Sequence, residues 1–97
     1  MEIKTKNEGT KLTISVSGRV DTVTAPEFEA GLKFGDATCV VLAIGDVPYM
    51  SSAGLRLLIA AEKTMEEKSG SMVIRNINST IKDIFDVTGF SDILTIE

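Results

Sequence analysis

The sequence lacks most of the residues from which catalytic and metal sites are built. It contains no histidine, which is the commonest general base and metal ligand. Its single cysteine, Cys39, leaves no partner for an internal disulfide and cannot form a cysteine-based zinc site. Ten basic residues stand against 14 acidic ones, for a net charge of -4, whereas a nucleic-acid-binding protein normally presents a basic patch. We therefore expect no metal, no cofactor, no enzymatic activity and no direct contact with nucleic acid.

Long hydrophobic runs are missing as well. None approaches the ~20 residues that a membrane-spanning helix needs, and the first ten residues have no signal-peptide core. A length of 97 residues, 43% of them hydrophobic and 25% charged, is typical of one globular domain. The sequence thus predicts a single cytoplasmic domain over residues 1–97, without membrane contact, that is a monomer or weak dimer when free.

Alternating hydrophobic and polar residues predict a β-hairpin at the start of the chain. Residues 12–17 (LTISVS) show the period-2 pattern of a strand with one covered face. Residues 3–5 form a weaker strand-like stretch, and residues 7–9 (NEG) offer a turn between the two strands.

Three segments predict helices. The first begins at residues 24–27 (TAPE), where the threonine can cap, the proline suits the first turn and the glutamate completes a capping box. The longest covers residues 53–68, which are rich in Leu, Ala, Glu and Lys. A third runs from a cap at Asn78 or Ser79 to Gly89.

Three further segments predict strands that alternate with these helices. Residues 38–44 (TCVVLAI) form a continuous apolar run, which predicts a central strand covered on both faces, with Cys39 and Val41 buried. Residues 72–74 and 93–96 suit a short strand and a final edge strand. The alternation implies crossover connections, and hence an α/β fold with a mixed, mostly parallel sheet and helices packed on it.

One segment, residues 46–55 (DVPYMSSAGL), joins the most buried predicted strand to the longest predicted helix. The carboxyl end of a parallel strand is where α/β folds place their sites. Ser51 and Ser52 stand where N-cap residues belong, and a helix N-terminus also tolerates a phosphoryl group, which adds a charge of about -2. Taken alone, these residues favour a plain N-cap, since serine caps are common and phosphorylation sites are rare.

The same segment resembles the signature of the STAS domain, the fold shared by anti-sigma-factor antagonists and the cytoplasmic tails of sulphate transporters. The matching residues are Asp46, Met50, Ser51, Ser52, Ala53, Gly54 and Leu55. Two other stretches are similar to family motifs, namely Gly18-Arg19-Val20-Asp21 followed by Ala25-Pro26, and Val87-Thr88-Gly89-Phe90. The three stretches cover the chain nearly end to end, so the resemblance implies a single STAS domain over residues 1–97.

The resemblance implies a regulatory function. Such antagonists bind an anti-sigma factor when unphosphorylated and so free the sigma factor; the anti-sigma factor is often a serine kinase that phosphorylates and expels the antagonist. A metal-dependent serine/threonine phosphatase restores the active form. Ser52 matches the phosphorylated serine, with Ser51 as the alternative because it replaces the usual preceding aspartate. The implied partner-binding residues are Gly18, Arg19, Asp21, Thr22, Asp46, Met50, Ser51, Ser52, Ala53, Gly54 and Leu55.

Other interpretations remain open on the sequence. The same fold serves as a non-switched adaptor subunit in transport or lipid-trafficking complexes. A small enzyme or nucleotide-binding protein is disfavoured, because the chain has neither a phosphate-binding loop motif nor a histidine. Asp21 lies in a polar turn where binding residues collect, which predicts that it binds the partner rather than holds the fold. Alternatively, its side chain forms the turn by bonding to its own backbone.

Overall fold

A computed structural model describes all 97 residues and contains one five-stranded sheet. The strands are β1 (Glu2–Glu8), β2 (Lys11–Ser17), β3 (Cys39–Asp46), β4 (Ser71–Arg75) and β5 (Thr95–Ile96). The helices are α1 (Ala25–Gly31), α2 (Ser52–Glu67) and α3 (Ser79–Thr88), with a 3-10 turn at Phe90–Asp92. The strands follow the order of the chain across the sheet, and only β1 and β2 are antiparallel. The predicted mixed, mostly parallel α/β fold is therefore confirmed.

The hairpin forms as predicted, although its turn lies further along the chain. Ile3 pairs with Val16, which places both on the face that packs against the helices. Asn7 and Glu8 belong to β1, so the predicted turn at residues 7–9 is displaced to Gly9 and Thr10. Gly9 has φ +64, a left-handed conformation that glycine adopts without strain.

The core lies on one face of the sheet. A cluster of 21 buried residues joins alternate residues of β2, β3 and β4 to the inner sides of all three helices. Val41 is 4% exposed, yet it is the one buried hydrophobic residue outside that cluster. It lies on the opposite face with Cys39, which is only partly buried. The prediction that Val41 is buried is therefore confirmed, and the prediction that Cys39 is largely buried is wrong, since the helices pack on the other face of β3.

The ends of α3 follow the predicted caps, and its start is tied to the end of β3. The Asn78 side chain accepts a hydrogen bond from the backbone N–H of Ile81 at 2.9 Å. Its amide also donates to the backbone carbonyl of Val47 at 2.8 Å. Gly89 ends the helix with φ +80. Asn78 thus fixes α3 to the same β3–α2 connection that carries the serines.

The predicted capping box at residues 24–27 and the predicted strand at residues 93–96 differ from the structure. Thr24 stands at the N-cap of α1 but makes no side-chain cap bond, because its hydroxyl is used within the preceding loop. β5 is only two residues long, since the chain is still in the 3-10 turn at Asp92 and Ile93 is exposed. No helix has the length and apolarity required to cross a lipid bilayer.

Candidate functional site

Two connections meet at the carboxyl ends of β2 and β3, and they bring together the two sequence motifs. One runs from Gly18 to Thr24, and the other from Val47 to Ser51. A parallel bridge joins Val20 to Met50: the N–H of Val20 donates to the carbonyl of Tyr49 at 3.0 Å, and the N–H of Ser51 donates to the carbonyl of Val20 at 2.8 Å. The resulting surface leads directly into the start of α2.

Asp21 organises the first connection. Its Oδ1 accepts hydrogen bonds from the backbone N–H groups of Val23 at 2.9 Å and Thr24 at 3.0 Å, and its Oδ2 accepts one from Arg19 Nε at 3.0 Å. The N–H of Thr24 is the largest influence that holds the pKa of this carboxyl below its ordinary value, ahead of an opposing effect of burial. The structure therefore shows the turn-forming role, the alternative left open on the sequence. It does not support the expectation that Asp21 leaves the fold unaffected.

Arg19 connects the two loops across the surface. Its guanidinium carbon lies 4.5 Å from the centre of the Tyr49 ring, within range of a cation–π interaction. Tyr49 is 38% exposed, and Val23 in the first loop is 87% exposed. Sequence reasoning did not select either residue, although a lone tyrosine within the signature segment was an available signal. Together they give the site an apolar component beside its charges.

The two adjacent serines have different environments. Ser51 has the extended backbone of an N-cap, but its hydroxyl oxygen is buried and has no hydrogen-bond partner. Ser52 is the first residue of α2, is exposed, and makes no side-chain hydrogen bond. A second protein can therefore reach Ser52 without moving α2, whereas the Ser51 hydroxyl is shielded.

The start of α2 is packed closely against the bridge beneath it. A Cβ at Gly54 would lie 2.6 Å from Cγ1 of Val20 and 2.7 Å from Cγ of Met50, so only glycine permits this approach. Met50, Gly54 and Leu55 are buried. These three members of the predicted partner-binding set support the surface from below.

The other members of that set lie at the surface or partly so. The exposed members are Arg19, Thr22, Asp46 and Ser52. Partly buried are Gly18, Asp21, Ser51 and Ala53. The N–H of Gly18 donates to the carbonyl of Asp46 at 3.0 Å, which continues the pairing of β2 and β3 into the site. No group of three or more acidic or cysteine side chains is placed to hold a metal ion.

Comparison with known proteins identifies the family. The family model described as "STAS domain" matches residues 2–97. The "Anti-sigma-B factor antagonist" of Listeria monocytogenes is 30% identical over 100 residues, which span 100% of this chain and 87% of that protein.

Solved structures show the same fold. The anti-sigma factor antagonist SpoIIAA in its unphosphorylated form superposes with a TM-score of 0.76 at 16% identity, covering 99% of this chain and 87% of SpoIIAA. The Bacillus cell fate determinant SpoIIAA in its phosphorylated form gives 0.75 at 16% identity, covering 99% and 91%. The family match spans the sheet, all three helices and both connections of the site. The chain therefore belongs to the STAS domain family.

Proposed function

We propose that this protein is an anti-sigma-factor antagonist: unphosphorylated, it binds an anti-sigma factor and releases the sigma factor, and phosphorylation of Ser52 ends that binding. The observation that carries the proposal is the exposed Ser52 hydroxyl at the edge of a surface built from two interlocked loops. The relative from Listeria monocytogenes bears the antagonist's name, which supports the same function here. Sigma factors act on RNA polymerase, so the proposed function places the protein in the cytoplasm.

Accessibility supports Ser52 over Ser51 as the modified residue. A kinase must bring the γ-phosphorus of ATP into line with the attacking hydroxyl oxygen, and the Ser51 oxygen is buried. Ser52 is exposed and unbonded, so its hydroxyl is free to enter a kinase active site. The position of Ser52 two residues before Gly54 also preserves the register of the family motif.

The proposed chemistry is a reversible transfer of a phosphoryl group. In the forward step the Ser52 oxygen forms a bond to the γ-phosphorus of ATP, the bond to the bridging oxygen breaks, ADP leaves, and a base on the kinase takes the hydroxyl proton. In the reverse step a metal-dependent serine/threonine phosphatase directs water to the phosphorus, which releases inorganic phosphate and restores the hydroxyl. The antagonist supplies the acceptor and the recognition surface in both steps.

The switch acts on the interface rather than on the fold. A phosphoryl group at the first residue of α2 is favoured by the helix dipole, typically by about 0.3–1 kcal/mol at an exposed site. The same group carries a charge of about -2 and must lose its hydration to enter an interface with Tyr49 and Val23. Phosphorylation should therefore leave the domain folded while it removes the affinity for the anti-sigma factor.

The experiment uses Ser52→Ala as bait for the partner. This variant should bind the anti-sigma factor from a native lysate and remain bound when ATP is added, whereas wild type should be released. The recovered kinase is then incubated with ATP and wild type, Ser51→Ala or Ser52→Ala, and the phosphopeptides are mapped. We expect phosphate on wild type and Ser51→Ala, and none on Ser52→Ala.

Two outcomes would contradict the proposal. Phosphate that persists in Ser52→Ala and disappears in Ser51→Ala would move the switch to Ser51. Recovery of membrane-transport or lipid-trafficking subunits, with no kinase and no sigma-factor regulator, would favour the non-switched adaptor.

A further inference from the structure

Arg56 differs from the other two arginines of the chain in having no acidic partner. Arg19 forms an ion pair with Asp21 at 3.0 Å, and Arg75 forms one with Glu97 at 2.7 Å. Arg56 is exposed and forms neither an ion pair within 4.0 Å nor a side-chain hydrogen bond. An unpaired guanidinium on the surface is available to an anion.

The helix places Arg56 one turn after Ser52. Residues four apart on an α-helix lie on one face with their Cβ atoms about 5–6 Å apart. Helical side chains lean towards the N-terminus, so Arg56 is placed to reach back over the turn that begins at Ser52. Ala53 and Ala60, which lie three residues before and four residues after Arg56 on the helix, have no side-chain hydrogen-bond acceptor. Ser52 is the position on this face that can gain a negative charge.

The surroundings of Arg56 leave its side chain room to move. It lines a shallow depression of about 320 Å³ between the starts of α1 and α2. The carboxylate that shares this depression is Glu29, which lies beyond ion-pair distance from Arg56. A phosphate on Ser52 would carry about twice the charge of Glu29.

We propose that Arg56 is the intramolecular receptor of the phosphoryl group on Ser52. The planar guanidinium donates two parallel hydrogen bonds to phosphate oxygens, a geometry that lysine cannot reproduce. Arg19 is less suited to this role, since Asp21 and the ring of Tyr49 already hold it. This inference rests on the proposed function only in that phosphorylation of Ser52 gives it a biological setting.

The pair gives phosphorylation a second effect on the surface. Phosphorylation adds negative charge at Ser52. The phosphate also pairs with the Arg56 guanidinium, which is exposed and unpaired in the unmodified protein. A carboxylate of the anti-sigma factor that contacts Arg56 would therefore lose its partner as the phosphate arrives. Two changes of the same sign, one turn apart on α2, both weaken binding to an acidic partner surface.

The test measures the phosphate directly and needs neither kinase nor anti-sigma factor. Phosphoserine is installed at position 52 by nonsense suppression, and its second pKa, ordinarily about 6, is followed by phosphorus NMR. A paired arginine stabilises the dianion, so Arg56→Gln should raise this pKa by roughly 0.3–1 unit. Arg56→Lys should give an intermediate value, because a point charge replaces the bidentate donor.

Two matched arginine variants serve as controls. Arg75→Gln removes a charge that is paired with Glu97 on the far strands and should leave the phosphate pKa unchanged. Arg19→Gln tests whether Arg19, the other cation of the site, pairs with the phosphate in place of Arg56. The proposal is overturned if Arg56→Gln has the phosphate pKa of wild type, or if Arg19→Gln raises it as much. Absence of natural phosphorylation at Ser52 would instead refute the proposed function and leave this titration unaffected.

Discussion

Replacement of Gly54 by alanine should destabilise the protein at the functional site. The new methyl group would lie 2.6 Å from Cγ1 of Val20 and 2.7 Å from Cγ of Met50, where ordinary carbon contacts begin near 3.5 Å. Neither neighbour can move easily: Val20 is completely buried and stiff at χ1, and Met50 is 1% exposed. Relief of the contact therefore requires the first turn of α2 to move away from the bridge between the two loops.

The magnitude follows from two opposing contributions. A methyl group inserted into a well-packed site lowers the free energy of unfolding by about 1–3 kcal/mol. Alanine is favoured over glycine inside a helix by about 0.8–1 kcal/mol, and this gain is smaller in the first turn, where backbone N–H groups have no helical partner. We expect a net loss of about 1–2 kcal/mol.

The matched control is Gly31→Ala in the last turn of α1. Its methyl group would lie 2.6 Å from Cδ1 of Ile3, the far end of a partly buried side chain on an edge strand, and 3.2 Å from Cγ2 of the same residue. That side chain can rotate, so we expect a free energy of unfolding within about 0.5 kcal/mol of wild type. Urea denaturation followed by circular dichroism suits a protein without tryptophan. A Gly54→Ala protein as stable as Gly31→Ala would refute the packing argument.

Four further predictions concern polar groups. Asn78→Ala should lower the free energy of unfolding by about 1–3 kcal/mol, because it removes a helix cap and a second hydrogen bond. Ser51→Ala should leave the free energy of unfolding unchanged or raise it by up to about 1 kcal/mol, since the buried Ser51 hydroxyl has no hydrogen-bond partner. Urea melts of Asn78→Ala and Ser51→Ala test these opposite expectations. Burial, and then the charge of Glu66, raise the pKa of Glu62, so Glu62→Gln should be more stable than wild type at neutral pH, and the difference should vanish below pH 4.5. Hydrogen bonds, above all from the N–H of Thr24, lower the pKa of Asp21 below its ordinary value of 3.8. The ionised carboxylate therefore stabilises the fold fully above pH 3.8, and this stabilisation is lost as the pH falls through the lower pKa of the folded state. The deficit of Asp21→Asn at neutral pH should therefore shrink in acid, as measured by melts across this range.

The hairpin and the order of elements could be predicted because local patterns determine them. Residues 12–17 alternate strictly between apolar and polar, and in β2 the apolar residues Leu12, Ile14 and Val16 are buried against the helices. The coverage of β3 could not be predicted in the same way. Val41 is apolar and buried, but its own sheet neighbours, Thr13 and Val73, shield it in place of a helix. A continuous apolar run therefore indicates burial without revealing whether a helix or the neighbouring strands provide it.

For the first loop, the sequence offered two roles for Asp21, partner binding and turn formation, without deciding between them. Thr24 and Asp21 are three residues apart, and either could in principle cap the start of α1. The outcome depends on the loop conformation, which turns the Asp21 carboxylate onto two backbone N–H groups and the Thr24 hydroxyl onto the carbonyl of Arg19. That conformation is fixed by the bridge of Val20 to the second loop, a contact across thirty residues of chain.

The meeting of the two motifs, in contrast, follows from the parallel pairing of β2 and β3. Parallel strands end at the same edge of a sheet, so the connections after Ser17 and Asp46 must emerge side by side. Helix-start preferences do not separate Ser51 from Ser52, because both residues are suited to begin a helix; the register of the family motif favours Ser52. The structure adds a difference in accessibility: the N–H of Ser51 bonds to the carbonyl of Val20, and Ser51 lies against the first loop with its hydroxyl buried. The serine doublet therefore presents one shielded and one exposed residue, and the contact that shields Ser51 also aligns the loop surface beside Ser52.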